Sequence, residues 1–245
     1  MRDQNIAQKI VEGLSPEPGE TVIEIGPGTG VLTQFLLEKD IDLLALDVDK
    51  ESIDYLEAAY PEHRGRFRQQ DFLRMDLREI KSPHFRVIGN LPYNISSQIF
   101  FRIYDERQRV SEAVCMIQKE VADRLAAGHG SKTYGILSVL LQAFFKVEIL
   151  FTVPPHVFEP PPKVQSAVLR LTRNETQSLS CDEKLFKRVV KEGFGKRRKT
   201  LRNALKNLNL PASVQSDTDF DRRAEQLSVE EFVLLTTKIG ETWTQ

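Results

Sequence analysis

One stretch constrains the fold of this chain more than any other. An apolar strand candidate at 21–25 (TVIEI) runs into a glycine-rich turn, Gly26-Pro27-Gly28-Thr29-Gly30, and then into a helix candidate at 31–38. A strand feeding a helix through such a turn opens an α/β sheet, whose ligands bind at the carboxyl ends of the strands. Glycine lets the backbone approach a ligand without a Cβ clash. The N–H groups at the helix start attract an anion such as a carboxylate. The spacing is GxGxG, with Val31 where a dinucleotide fingerprint would carry its third glycine. That departs from the nicotinamide pattern. Taken alone, the turn also fits a purely structural connection.

The pattern continues along the chain. Residues 43–46 and 51–59 predict a second strand and helix, 66–70 a third strand, and 85–89 (FRVIG) a fourth. A helix at 96–104 follows, with Ser96 as its cap. A fifth strand at 113–117 and helices at 121–126 and 134–143 come next, and strands at 144–150 and 164–171 flank a proline-rich loop. Ahead of them all, residues 5–14 predict a helix with Ile6, Ile10, Val11 and Leu14 on one side. Strand–helix alternation gives a mainly parallel sheet covered on both faces. No helix separates the last two strands, so they are expected to pair antiparallel. Residues 174–180 are polar and unpatterned, and everything beyond reads as helix. The expected architecture is α/β: a Rossmann-like sheet with an antiparallel last strand at 1–176, plus a small all-helical domain at 177–245. A chain of 245 residues is long enough for that pair.

Several classes drop out. Cys115 and Cys181 form neither a disulfide framework nor a metal motif, so a reduced cytoplasmic setting is expected and no metal is called for. No apolar run reaches the ~20 residues of a membrane helix; the longest, 136–145, is broken by Ser138 and Gln142. No basic stretch followed by an apolar one opens the chain, so no secretion signal is expected. Nothing points to an obligate dimer, and a monomer is expected. The net charge of −1 speaks weakly against a nucleic-acid partner. Its distribution speaks the other way, because residues 184–206 hold ten basic side chains and one acid, Glu192. A local patch sets the potential that a polyanion meets. Such a run also fits a solvated helix face.

Two acids end successive strands. Asp47 closes the second (LLALD), where a carboxylate can accept both hydroxyls of a ribose. Asp71 follows the third (QQDF), where it can accept from an adenine amino group. Each alone also fits a solvated loop. With Gly26 and Gly28 they describe a nucleoside site whose far end takes a small charged group. S-adenosyl-L-methionine fits, with its amino-acid end at the glycine loop.

The fourth strand ends in Asn90-Leu91-Pro92-Tyr93-Asn94. The N6 lone pair of adenine is delocalised into the ring, so this amine is a poor nucleophile. The Asn90 amide oxygen and the Leu91 carbonyl, accepting both N–H bonds, would pull the nitrogen towards tetrahedral geometry and aim its lone pair. Pro92 fixes the local backbone. Tyr93 offers a flat face on which a flipped base can stack. Positioning then carries most of the rate effect, with no strong general base. A proline turn that merely ends a strand is the bland alternative.

These residues resemble the KsgA family of small-subunit ribosomal RNA adenine N6,N6-dimethyltransferases. The resemblance rests on EIGPGTGVLT at 24–33, QQDF at 69–72, GNLPYNIS at 89–96, QKEVADRL at 118–125, VPPHVFEPPPKV at 153–164 and FGKRRKTLRNAL at 194–205. It implies dimethylation of two adjacent adenosines near the 3′ end of small-subunit RNA, with an assembling small subunit as partner. It implies cofactor contacts from Gly26, Asp47, Asp71 and Asn90, although Asp47 stands where the family more usually has a glutamate. It implies that Tyr93 and Phe158 sandwich the target base; a Phe filling the core is equally compatible with position 158. Family members carry a Gly-Gln-[His/Asn]-Phe-Leu stretch ahead of the Asp-Gln seen here as Asp3-Gln4. Leu201, Ala204, Leu205 and Leu208 have the spacing of a buried helix face. Lys199, Arg202 and Lys206 share the other side, with Arg197 and Arg198 at the start. These five are the expected RNA-phosphate contacts. Enzymes that methylate adenine in large-subunit RNA or DNA, and an assembly factor using the same fold, remain the alternatives.

Overall fold

The computed structural model describes residues 3–196, 198–208, 210, 212–215 and 218–243. They form two compact units, residues 1–122 with 146–173, and residues 123–145 with 174–245. The expected division was a single cut at 176. The structure instead places 123–145 with the C-terminal helices.

The first unit is a seven-stranded sheet in the order β3-β2-β1-β4-β5-β7-β6. Its strands are β1 (Thr21–Ile25), β2 (Asp42–Asp47), β3 (Phe67–Gln69), β4 (Phe85–Asn90), β5 (Val110–Gln118), β6 (Phe145–Val153) and β7 (Ser166–Arg173). Strands β1 to β5 pair in parallel. β7 runs antiparallel to β5, with Gln118 opposite Ser166. Every residue of β1 is buried, as expected for a central strand covered on both faces. The helices of this unit are α1 (Gln4–Glu12), α2 (Thr33–Leu37), α3 (Lys50–Ala59), α4 (Ser96–Asp105) and the start of α5 (Lys119–Ala126). Asp3 caps α1 by accepting from the Asn5 and Ile6 N–H groups. Ile10, Val11 and Leu14 are buried as their spacing predicted, and Ile6 packs beside them.

Element ends moved where local patterns were weak. α2 begins at Thr33, two residues later than expected, because the glycine turn runs on to Leu32. Ile95, not Ser96, occupies the cap position of α4, and the Ser96 hydroxyl donates to the Tyr93 carbonyl at 3.2 Å. β4 extends to Asn90, which makes that residue the last of the strand.

The second unit is helical. It contains α6 (Ile136–Gln142), α7 (Glu183–Gly195), α8 (Leu201–Ala204), α9 (Ala212–Gln215) and α10 (Val229–Trp243). Residues 123–145 belong here because their polar and aromatic groups are satisfied here. Ser138 donates to the Arg124 carbonyl, and Gln142 to the carbonyls of Leu125 and Ala127. The Tyr134 ring meets Phe194 edge-on, and Phe194 stacks on Phe232, both at 6.0 Å. The apolar face of α6 needs such partners, and α7 and α10 supply them.

Candidate active site

The glycine turn takes the conformation its composition demands. Gly26, Gly28 and Gly30 all have positive φ, where a side chain would be strained. At Gly30 a Cβ would also sit 2.8 Å from the Leu56 side chain of α3. At Gly28 a Cβ would meet nothing within 4 Å, so its absence leaves open space at the turn. Gly89, one residue before Asn90, is glycine for a third reason. A Cβ there would lie 2.5 Å from the Ile25 carbonyl oxygen of β1. Glycine here leaves room for the ends of β4 and β1 to pair at Ile25 and Gly89.

The amides of all three glycines are already engaged, that of Gly30 with the Pro27 carbonyl at 2.9 Å. The Gly26 N–H donates to the Leu46 carbonyl at 2.9 Å. The Gly28 N–H donates to Asp47 Oδ2 at 3.2 Å, and Asp49 N–H donates to Asp47 Oδ1 at 3.0 Å. These glycines therefore contribute shape rather than donors. Asp47 ties the turn to the end of β2. Each carboxylate oxygen keeps lone-pair capacity beyond its single bond, so Asp47 can still accept from a ribose. Asp71 is held similarly, accepting from the Leu73 N–H at 2.9 Å with the Arg74 guanidinium 3.5 Å away.

Gly26, Asp47 and Asp71 line one narrow pocket, together with Phe72, Ile95 and Ile99. Polar acceptors at its edge and an apolar wall suit a nucleoside, and the open space at Gly28 suits the approach of its substituent. These features fit S-adenosylmethionine. Phe72 and Ile95 stood only inside the QQDF and GNLPYNIS segments, and Ile99 only inside a helix, because apolar residues there look like ordinary core. Glu24 was read only as part of the glycine motif. It is fully buried beneath the turn, where Thr33 Oγ1 donates to it at 2.8 Å. Burial pushes its pKa up to about 8; the Thr33 bond opposes the shift and the nearby Asp47 charge adds to it.

A second cavity opens on the other side of Pro92. It is lined by Asn90, Leu91, Pro92, Tyr93, Phe158, Glu159, Pro160 and Pro162. Pro92 lines both cavities. The structure thus brings Phe158 to the Asn-Leu-Pro-Tyr turn from 65 residues further along the chain. The Phe158 side chain also packs partly against the apolar cluster around α1, so it fills core as well as lining this cavity.

The turn leaves particular groups open. The Pro92 carbonyl accepts from the N–H groups of Ile95 and Ser96, and the Tyr93 carbonyl accepts from the Ser96 hydroxyl. Among the described residues, neither the Leu91 carbonyl nor the Asn90 side-chain amide has a hydrogen-bond partner. Tyr93 is oriented by its hydroxyl, 2.7 Å from Ser166 Oγ at the start of β7. Ser166 is fully buried and no sequence motif marked it.

The basic segment departs from expectation. Leu201, Ala204, Leu205 and Leu208 are buried as their spacing implied. The helix, however, is only α8, followed by a 3-10 turn at Leu205–Leu208. Arg198, Lys199 and Lys206 are exposed. Arg202 is not a free cation: its guanidinium bonds Asp221 Oδ1 at 2.7 Å and the Gln215 carbonyl. Arg197 lies outside the described residues.

Residues 1–240 match the family described as ribosomal RNA adenine dimethylase. A protein of Parabacteroides distasonis named ribosomal RNA small subunit methyltransferase A is 55% identical over 237 residues, covering 96% of this chain and 89% of that protein. A dimethyladenosine transferase from Plasmodium falciparum superposes with a TM-score of 0.79 at 26% identity, covering 96% of this chain and 95% of the other. The 23S rRNA methyltransferase ErmE shares the fold, with a TM-score of 0.71 at 22% identity and coverage of 96% and 98%. Together with the paired cavities at Pro92, these matches mean that the chain belongs to the ribosomal RNA adenine dimethylase family and is an S-adenosylmethionine-dependent methyltransferase.

Proposed function

We propose that this enzyme dimethylates N6 of two adjacent adenosines near the 3′ end of small-subunit ribosomal RNA, acting as a monomer on the assembling subunit in the cytoplasm. One observation carries the chemistry. A nucleoside-type pocket and an aromatic cleft flank the same proline, and two acceptors without partners stand at that point. The small-subunit name of a relative 55% identical over nearly the whole chain favours that RNA over a large-subunit one.

Each residue then has a task. Gly26, Gly28, Asp47 and Asp71 hold S-adenosylmethionine, which supplies an electrophilic sulfonium methyl. Tyr93, held by Ser166, and Phe158 receive an unstacked adenine between aromatic faces. The Asn90 amide oxygen and the Leu91 carbonyl accept from N6. These bonds strengthen as the nitrogen turns tetrahedral, so they favour the transition state over the bound base. Pro92 contributes no N–H of its own and fixes the turn that sets both acceptors. The displaced proton leaves to water. Exposed Arg198, Lys199 and Lys206 of the helical unit serve as phosphate contacts, and the paired Arg202 braces the segment that carries Lys206. Among the described residues, no helix is long and apolar enough to cross a membrane.

The deciding experiment incubates purified small subunits, large subunits and free RNA with methyl-labelled cofactor, followed by nucleoside analysis. Label in N6,N6-dimethyladenosine from small-subunit RNA is expected. Label confined to large-subunit RNA, or none at all, would overturn the reading.

A further inference from the structure

Helix α7 carries the first half of the basic run at 184–206 on one face. On α7, Lys184, Lys187, Arg188, Lys191 and Gly195 recur at the three- and four-residue spacing of one helical face. The opposite face, Leu185, Phe186, Val189 and Val190, is buried. The cationic face and Lys196 line a groove of about 480 Å³ with Ala204. Among the described residues Glu192 is the single acid on its rim, 3.9 Å from Arg188. Lys184, Arg188, Lys191 and Lys196 are solvent-exposed.

We propose that this groove is a second RNA-phosphate site, with cations other than those of the adjoining Arg198–Lys206 segment, that grips the ribose-phosphate backbone without reading sequence. The inference rests on the RNA-modifying function given above. Three observations select the occupant. Five cations along one groove present a field suited to a polyanion. Its apolar surface comes from Ala204, Gly195 and the carbon stems of the cations, and among the described residues no aromatic or branched aliphatic side chain lines it, so it lacks the anchors at the centre of a protein interface. Among the described residues it also offers no aromatic side chain on which a base could stack, which limits it to backbone contacts. Gly195, where a Cβ would meet nothing within 4 Å, leaves one side open to a bulky chain. From Lys184 to Lys191 the face spans about 10 Å, room for more than one phosphate.

The test is equilibrium binding of the full chain to purified small-subunit ribosomal RNA across a salt series, read without turnover. That readout separates failure of this site from failure of the methylation assay. In the variant carrying Lys184→Gln, Lys187→Gln and Lys191→Gln, affinity should fall at least tenfold at about 0.1 M salt. The slope of log K against log salt should flatten by about 2 to 3. S-adenosylmethionine affinity and the thermal midpoint should be unchanged. Because a triple change can disturb folding, Glu192→Gln supplies the opposite sign: removing the rim acid should tighten RNA binding and steepen the slope. Unaltered affinity and slope in both variants would overturn the proposal. So would binding of phosphatidylglycerol vesicles that the triple change abolishes while RNA binding persists.

Discussion

At the amino ends of β4 and β5, charges are buried and paired. Glu112 is fully buried, and its carboxylate takes the Arg86 guanidinium, Arg170 Nε at 2.5 Å and the Ser15 N–H at 3.0 Å. Arg86 also reaches Glu20 at 2.7 Å. At the carboxyl ends of the neighbouring strands the logic reverses. The Asn90 amide and Leu91 carbonyl stand open, and Glu24 is buried with a single hydroxyl donor. One end of the sheet uses its polar groups on itself, which stabilises the fold. The other withholds them for a ligand, at some cost in stability. The same strands reach both ends, so the two roles are separable by substitution.

The largest effect belongs to the paired end. Glu112→Ala leaves two guanidinium groups without their buried carboxylate, and breaking a buried pair this way costs about 3–5 kcal/mol. Urea unfolding should show that loss, while the rate per folded molecule stays near normal. A variant of wild-type stability would erase the contrast between the two ends.

Asn90→Ala tests the open end, with the opposite signature. Loss of a bond made chiefly in the transition state should raise the barrier by about 3–4 kcal/mol, seen in single-turnover transfer at saturating RNA. The unfolding midpoint should hardly move, because the amide has no protein partner to lose. Near-normal transfer would return the turn to a structural role.

Glu24 sharpens the comparison through pH. Its folded pKa of about 8 lies above the ordinary 4.5. Between those values the folded protein keeps a proton that the unfolded chain releases, so stability falls as pH rises through that window and levels off above it. Glu24→Gln removes this slope. The two proteins should unfold alike near pH 5, and the variant should be more stable by at least about 1 kcal/mol at pH 8, one pKa unit being about 1.4 kcal/mol. Stability curves that stay parallel from pH 5 to 8 would mean that Glu24 titrates near its ordinary value.

The nucleoside-type pocket was legible because its signals are local: each of Gly26, Asp47 and Asp71 sits where a strand candidate stops, and an open parallel sheet puts those ends on one edge. Asn90, expected among the cofactor contacts as well, lines the other cavity instead. The paired Arg86–Glu112–Arg170 group was not legible, since its members are 26 and 58 residues apart and lie on strands with no charge pattern. Arg202 shows the converse. Helical spacing placed it on an outer face, yet Asp221 and Gln215 capture it from a later stretch of chain.

From the sequence alone came the succession of strands and helices, the positive-φ turn and the place of Asn90-Leu91 at a strand end, because these depend on residues a few positions apart. Tertiary contacts alone bring Phe158 to the cavity that Tyr93 lines, set Ser166 against the Tyr93 hydroxyl, and join residues 123–145 to the helical unit. Those outcomes rest on which buried hydrogen bonds and apolar faces find partners far along the chain. Periodicity reports that a face must be covered; it does not report what covers it.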